Sequence, residues 1–551
     1  MAKPEYKPLL YTTTMRNPER LKFILYILAM YDGKVLDDNL ATKIVGETIR
    51  YGLYRPMMQC NSVREKWIST KSGTFSEYIL SDDEVSYMIS HNPQQHKEAG
   101  FAKGFPSRFA TIYDLTKELG LAYFAPQASI VISELGKHLL KSIKVDVRDN
   151  EIFYEFIHPE YEQQVFLQAM AKSQRKNPFV RVLNDNIPLI LLLQTIKLLN
   201  ADPNQNGSGI SRRELPLLIF WKNNNAQQLY ERIVKLRNDC GYNASDEVII
   251  DICINEIMEG NYKKFKPKSI MVDYPDELIR KMRITGLISL RGIGRFIDIN
   301  KNELDKVEYV LKQYSKYQPY TNEIDYFKHI ATLDKNLIQI KSTPIKPNNA
   351  EQLLINWLKL YQWNSIKKEL SILASNGTSK DSVLKLIAAP ARLEFLIALA
   401  IKSKIPNVRV LPNYSCDDEG LPTSTAGGNK GDIECFENQN GILVEVTMAT
   451  GRQQTMMEIW PIERHLIEFQ NDRNAQCVFI APTIFNDSLR QIQFVSFQSN
   501  GKNNIRPYAI SKFVEYLENT NELYENTQKT YHELIEKHSQ IAAEPLMEYG
   551  Q

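Results

Sequence analysis

The chain has 551 residues, 43% hydrophobic and 24% charged, with a formal net charge of +2. These values suit an ordinary globular protein of two to four domains and exclude a strongly basic or acidic polyelectrolyte, although a local basic surface can coexist with an acidic domain. No stretch reaches about 18 apolar residues, which argues against a membrane span, and the six scattered cysteines, with no C-x-x-C pair, argue against structural zinc or a disulfide framework and suit a reducing cytoplasm.

The N-terminus carries no apolar signal core. The stretch LLYTTTMRNPERLKFILYILAMYDG (9–33) reads as a strand or arm followed by a helix. Asn17 can cap that helix, Pro18 suits its first position and Gly33 ends it. Arg16 and Arg20 flank its start.

Residues 105–141 predict a helix, a short apolar run, a turn, the strand IVIS and a second helix, ELGKHLL. Ile112, Leu115 and Leu119 follow helical spacing, and Gly120 suits the C-cap. The order repeats at 274–314. Asp276–Arg283 is helical, and LISL and RFIDI flank RGIG as two strands, with Arg291 and Arg295 at the turn. Between the two units, GISRRELPLLIFWK places Arg212 and Arg213 on a helix that Ser211 can cap.

Helix, strand, turn, strand, helix is the winged-helix order. Each unit reads as a plain packing module or as a DNA-contacting one. Two such units with arginines at turns and helix starts favour DNA, because arginine both grips phosphates and reads guanine edges. Residues 301–348 are helical and charged, and IKSTPIKPNNAEQ marks the best boundary in the chain. The resulting plan is two recognition subdomains, 1–160 and 161–315, a linker at 316–348, and a C-terminal domain from 349 to 551.

In that domain KGDIECFENQNGILVEVTM (430–448) reads as a hairpin turning at Asn440-Gly441. Alternation puts Leu443, Glu445 and Thr447 on one face and Ile442, Val444, Val446 and Met448 on the other, toward the core. Asp432 opens the partner strand and can approach Glu445. Two carboxylates, the Val446 carbonyl and a phosphate oxygen form a suitable hard-oxygen set for magnesium. The competing reading is a solvated hairpin with acids on one face. Glu394 stands alone in PARLEFLIALAIKS, an almost wholly apolar helix, where burial is costly without a metal, a partner or water. Glu458 follows in GRQQTMMEIWPIERHL. Farther on, AQCVFIAP (475–482) reads as a buried central strand, IQFVSF (492–497) as another, and Ile510–Leu517 and Leu523–His538 as helices.

LLYTTTMRNPERL at 9–21 and GDIE…LVEVTM…GRQQ…E…P…RHL at 431–466 resemble the AlwI family of restriction endonucleases, type IIS enzymes and related strand-nicking endonucleases. The resemblance implies a multidomain α+β chain: mainly helical winged-helix recognition modules, a linker, and an α/β nuclease domain of the PD-(D/E)xK type. It places the active-site carboxylates on Glu394, Asp432, Glu445 and Glu458, with Asp432, Glu445, Glu394 and the Val446 carbonyl around magnesium, for which manganese substitutes. The implied partner is double-stranded DNA, cut a few base pairs outside a short asymmetric site, with transient pairing of two cleavage domains as one route to cutting both strands. Thr447 stands where the general Asp…Glu-x-Lys pattern has its lysine, and EVT resembles the family's own variant, which leaves the lysine's usual role in orienting the attacking water to another residue. Gln454, Arg452 and His465 are the neighbours that could take over the orienting of water. A nicking enzyme of the same family stays open, as do a DNA-binding regulator with an inactive nuclease-like domain and a nuclease that reads DNA structure.

Overall fold

A computed structural model describes residues 4–8, 18–67, 74–95, 97, 99–261, 265–343, 346–427, 430–471 and 473–525. The contacts divide the chain into two compact units. Unit 1 comprises 1–345 together with 380–387 and 416–424; unit 2 comprises 346–379, 388–415 and 425–551. No helix among the described residues is long and apolar enough to cross a membrane.

Unit 1 opens on a 3-10 turn, Pro18–Arg20, and a helix, Leu21–Ala29, that buries Leu21, Phe23, Ile24, Leu25, Ile27 and Leu28. The expected cap Asn17 lies outside the described residues. Phe105–Glu118 forms the next expected helix and ends at Gly120, whose φ is +73°. A Cβ there would also meet the Ile330 carbonyl group at 2.7 Å, so glycine answers both a left-handed backbone and a close approach. Strands β1 (Ala122–Tyr123) and β2 (Val131–Ile132) pair antiparallel. Ser133 then caps the Glu134–Leu140 helix through Gly136 N–H at 2.9 Å. A hairpin of β3 (Ile143–Arg148) and β4 (Glu151–Phe156) follows, its turn residues Asp149 and Asn150 both at positive φ.

The second part of unit 1 runs from the Pro188–Ala201 helix through β5 (Ile210–Ser211) and the Leu215–Phe220 helix to the Tyr274–Arg283 helix. Strands β6 (Ile288–Arg291) and β7 (Phe296–Ile299) follow, and the three-stranded sheet has the order β5-β7-β6. Ser211 does not cap a helix. It ends β5, and the helix starts four residues later behind Glu214, which has no capping side-chain bond. Glu214 instead takes the Ser211 N–H at 2.8 Å and holds Arg237 with both oxygens, at 2.8 Å each, in an almost fully buried pair. That pair organises the turn which the serine was expected to organise. Helices at Leu304–Tyr314, Glu323–Ala331 and Lys335–Gln339 complete the N-terminal stretch.

Unit 1 also recruits two later stretches of chain. Arg283, buried at the end of its helix, pairs with the fully buried Asp417 at 2.7 Å and donates to the Pro422 carbonyl at 2.8 Å. Arg291 is gripped by Asp298, Asp418 and Glu419 at 2.5, 2.8 and 2.5 Å.

Unit 2 is built on a five-stranded mixed sheet of order β14-β13-β12-β11-β8. Its members are β8 (Arg409–Pro412), β11 (Ile433–Glu437), β12 (Asn440–Val446), β13 (Asn474–Ala481) and β14 (Ile505–Ala509). Outside this sheet β9 (Tyr414–Cys416) pairs with β10 (Pro422–Ala426), a ribbon of which residues 416–424 are counted with unit 1. In the main sheet β8, β11 and β12 run antiparallel in turn, whereas β12, β13 and β14 are parallel. On one face Leu443, Cys477 and Phe479 pack with Ile459, Ile462, Leu466, Ile492 and Val495. On the other, Ile442, Val444, Val478 and Ile480 are buried as well. Burial on both faces explains why β13 is apolar almost throughout.

Three sequence expectations change here. The β11–β12 register pairs Glu437 with Asn440, so the turn is Asn438-Gln439, with Asn438 at φ +56°. Gly441 lies inside β12, where a Cβ would strike the Phe469 ring at 2.7 Å. The shift is two residues, so the faces keep their parity. Val446 is half-buried at the strand end and is not a core residue. Residues 492–497 belong to a helix, Asn486–Gln498, whose buried Ser488, Ile492 and Val495 follow a 3.6-residue period; the edge strand is β14, where Pro507 is tolerated. The Ile510–Asn519 helix is present, and of the expected helix at 523–538 only 523–525 are described and are irregular.

Candidate active site

All four acids singled out in the sequence lie in unit 2. Glu394 sits in the Ala389–Lys404 helix, every residue of which from Ala391 to Ile401 is buried. Its side chain, in a residue only 3% exposed, accepts the Ala426 N–H at 3.1 Å. Burial drives its pKa up to about 8, with the Ala426 bond opposing and the charge of Glu445 adding to the rise.

Asp432 directly precedes β11, and its Oδ2 accepts the Val446 N–H at 2.7 Å. This bond ties the first acid to the end of the strand that carries Glu445. Desolvation, then the charges of Glu394, Glu445 and Glu458, hold Asp432 well above the usual carboxylate range. Glu445, 6% exposed on β12, meets His465 Nδ1 at 2.9 Å. Burial raises its pKa, while His465 and Asp432 pull it back. A Cβ at Gly431 would lie 2.3 Å from Leu443 Cδ1 and 2.9 Å from Glu445 Oε1, so the glycine before Asp432 makes room for the second acid.

Glu458 stands between the Gly451–Met457 and Ile459–Phe469 helices. Its Oε1 accepts from the Thr447 hydroxyl at 2.9 Å, and that same oxygen of Thr447 accepts the Ala449 N–H at 3.0 Å. The residue in the lysine position is therefore tied to the fourth acid. Gln454 is fully buried and spends its amide on the Ala449 and Thr483 carbonyls and the Phe485 N–H, which makes it a clip between loops. Arg452 is exposed on the same short helix.

Among the described residues, no three His, Cys, Asp or Glu side chains are drawn together into a ready metal-holding group. Each of the four acids is instead held by a protein donor. They nevertheless repel one another: Asp432 is raised by three acidic neighbours at once. A buried locus of hard oxygens with excess negative charge is chemically suited to a cation such as magnesium.

Five of the six arginines marked in the sequence are described and lie in unit 1, where the Arg212 N–H donates to the Arg295 carbonyl at 2.7 Å. Arg16 lies outside the described residues. Arg20 is half-buried at the first helix, and burial lowers its pKa against the opposing charge of Glu19. Arg212 pairs with Asp276 and donates to the Ser382 carbonyl at 3.2 Å. Arg213 pairs with Asp246 at 2.6 Å, Arg291 holds its three acids, and Arg295 is exposed at the β6–β7 turn. Two of the three acids on Arg291 come from 418 and 419, too distant in sequence to foresee.

The family model described as AlwI restriction endonuclease matches residues 117–389 and 362–516. No curated protein matches the chain. Among solved structures, the small subunit (R.BspD6I2) of the heterodimeric restriction endonuclease R.BspD6I is 22% identical over 31% of this chain and 87% of its own, with a TM-score of 0.25. Restriction endonuclease FokI bound to DNA is 10% identical over 92% of this chain and 69% of its own, with a TM-score of 0.20. The family match runs through most of the chain and includes all four acids, and on it the protein belongs to the AlwI restriction endonuclease family.

Proposed function

We propose that this restriction endonuclease is a magnesium-dependent type IIS enzyme, with recognition assigned to unit 1 and cleavage, a few base pairs outside a short asymmetric site, to unit 2. The observation that carries the assignment is the bond from Val446 N–H to Asp432, which joins the two acid-bearing strands beside Glu445, within electrostatic reach of Glu394 and Glu458. The β5-β7-β6 order supports a winged-helix reading of the second recognition module, and the five-stranded mixed sheet supports a PD-(D/E)xK reading of unit 2.

Asp432, Glu445, Glu394 and the Val446 carbonyl would hold the metal. Magnesium bound there supplies a more acidic water and offsets charge growing on the phosphate. His465 fixes the orientation of the Glu445 carboxylate through Nδ1. The Thr447 hydroxyl fixes Glu458, which then stands to take the proton of the attacking water in place of the lysine-oriented arrangement. In-line attack leaves a 5′-phosphate and a 3′-hydroxyl. Each chain carries one such centre, so a double-strand break takes sequential turnover or two paired cleavage domains.

The test is digestion of a sequenced plasmid in magnesium, with run-off sequencing of both strands, for wild type, Asp432→Ala and Glu445→Ala. The wild type should cut at a fixed offset from one site, and both variants should lose cleavage while still shifting a site-bearing duplex. Cutting confined to one strand selects the nicking form of the same reading. Cleavage by both variants at the wild-type rate removes the site assignment.

A further inference from the structure

A second polar site lies in unit 1, far in sequence from the four acids. Residues from the Pro159–Lys172, Leu304–Tyr314, Glu323–Ala331 and Lys335–Gln339 helices and their connections line a cavity of about 470 Å³. Three basic side chains border it: Lys172, His329 and Lys335. Such a volume exceeds that of a single ion and suits a phosphate with its attached sugar.

Basic groups outnumber acids in its wall. Asp334 is the acid there, and its carboxylate is held by four donors on other residues. It accepts from Tyr309 at 3.0 Å, Tyr314 at 2.5 Å, and the Asn336 and Leu337 N–H groups at 3.0 and 3.2 Å. Lys172, only 3% exposed, donates to the Thr332 carbonyl and, at 3.4 Å, to Gln168, and its ammonium lies 5.7 Å from the Tyr314 ring centre. Those acceptors are neutral, and among the described residues no carboxylate forms an ion pair with Lys172. Its third N–H has no protein acceptor among the described residues. Burial lowers its pKa to about 8 against the opposing charge of Asp334, and both burial and the Lys172 charge lower that of His329. Lys335 is exposed beside them. A buried ammonium that makes no direct ion pair, and faces Asp334 only at longer range, is stabilised by an anion that takes its remaining N–H.

We propose that this cavity binds the phosphate of a nucleotide unit, with Lys172 as its buried anchor and Lys335 and His329 at its rim. The phosphate can belong to the backbone of bound DNA or to a free mononucleotide. The backbone source rests on the DNA-cleaving reading above; the mononucleotide source does not.

The experiment uses the full chain and two variants, Lys172→Met and Lys335→Glu. The second changes an exposed residue, so it remains informative should the first fail to fold. Duplex affinity is measured from about 50 to 200 mM salt, where each lost phosphate contact lowers the log–log slope by about 0.9. Deoxyadenosine monophosphate binding is measured alongside by calorimetry. A slope reduced by about one in either variant, with cleavage-site choice unchanged, assigns the pocket to the DNA backbone. An unchanged slope with mononucleotide binding lost in a variant assigns it to a free nucleotide. Wild-type slopes and wild-type mononucleotide behaviour in both folded variants overturn the proposal. A wild-type chain that binds no duplex defeats the DNA-cleaving reading instead, and the calorimetric arm still decides the pocket.

Discussion

Replacing Glu394 with glutamine should stabilise the metal-free protein and disable it together. The carboxylate lies in an apolar helix, and its pKa is raised from an ordinary 4.5 to about 8. Below about 4.5 the acid is neutral in both folded and unfolded chains. As pH rises the unfolded chain ionises first, so stability is lost progressively until the folded acid also ionises near 8. At about 1.4 kcal/mol for each pKa unit, the loss at pH 8.5 amounts to at most about 5 kcal/mol. A buried amide costs about 1–3 kcal/mol of its own, although its oxygen can still accept the Ala426 N–H. The net gain for Glu394→Gln is therefore about 2–4 kcal/mol at pH 8.5, or roughly 5–10 °C in the transition of unit 2. Calorimetry in a chelator at pH 5 and pH 8.5 measures it. At pH 5 the gain should be gone and the amide cost should show as a small net loss of about 0–2 kcal/mol, magnesium should stabilise wild type more than the variant, and cleavage should fall about a hundredfold. A variant less stable than wild type at pH 8.5, or equally shifted at both pH values, refutes the reasoning.

Other perturbations test separate parts of the structure. Asp417→Asn leaves the buried guanidinium of Arg283 without its charge partner and should cost about 3–5 kcal/mol in urea unfolding of unit 1. Gly431→Ala drives a methyl group toward Leu443 and Glu445; it should lower cleavage strongly while duplex binding by gel shift stays near wild type. Thr447→Val removes the hydroxyl that holds Glu458 and should reduce kcat about tenfold or more with a changed pH–rate profile and little change in duplex affinity. Gly441→Ala sets a methyl against the Phe469 ring and should cost about 1–3 kcal/mol, read as a lower transition temperature.

Local signals made much of this fold readable. The strands around RGIG and the helix before them stand where their turn residues and apolar periods put them. Glu394 was visible because a single acid in an apolar helix is anomalous. Elsewhere two local signals competed. Asn-Gly at 440–441 resembles a turn, but Asn438 adopts the left-handed conformation while Gly441 yields to an aromatic ring. IQFVSF fits a short strand as an isolated window, whereas Ser488, Ile492 and Val495 reveal a helical period only over a longer one. The engagement of Arg291 by Asp418 and Glu419, and of Thr447 by Glu458, depends on tertiary placement that no local window contains.

The three-part make-up of unit 1 bears on how such a chain can be rearranged. Its continuous stretch ends at 345, yet 380–387 and 416–424 are parts of the same body, so the polypeptide passes between the units at five places. A fragment stopped at 345 would lack Asp417 and leave the buried charge of Arg283 without its ion-pair partner. A hybrid made by one crossover between homologues would inherit an arginine from one parent and its acid from the other. Exchange of whole front halves between homologues is thus constrained: the two short inserts must travel with them, or their partners must match.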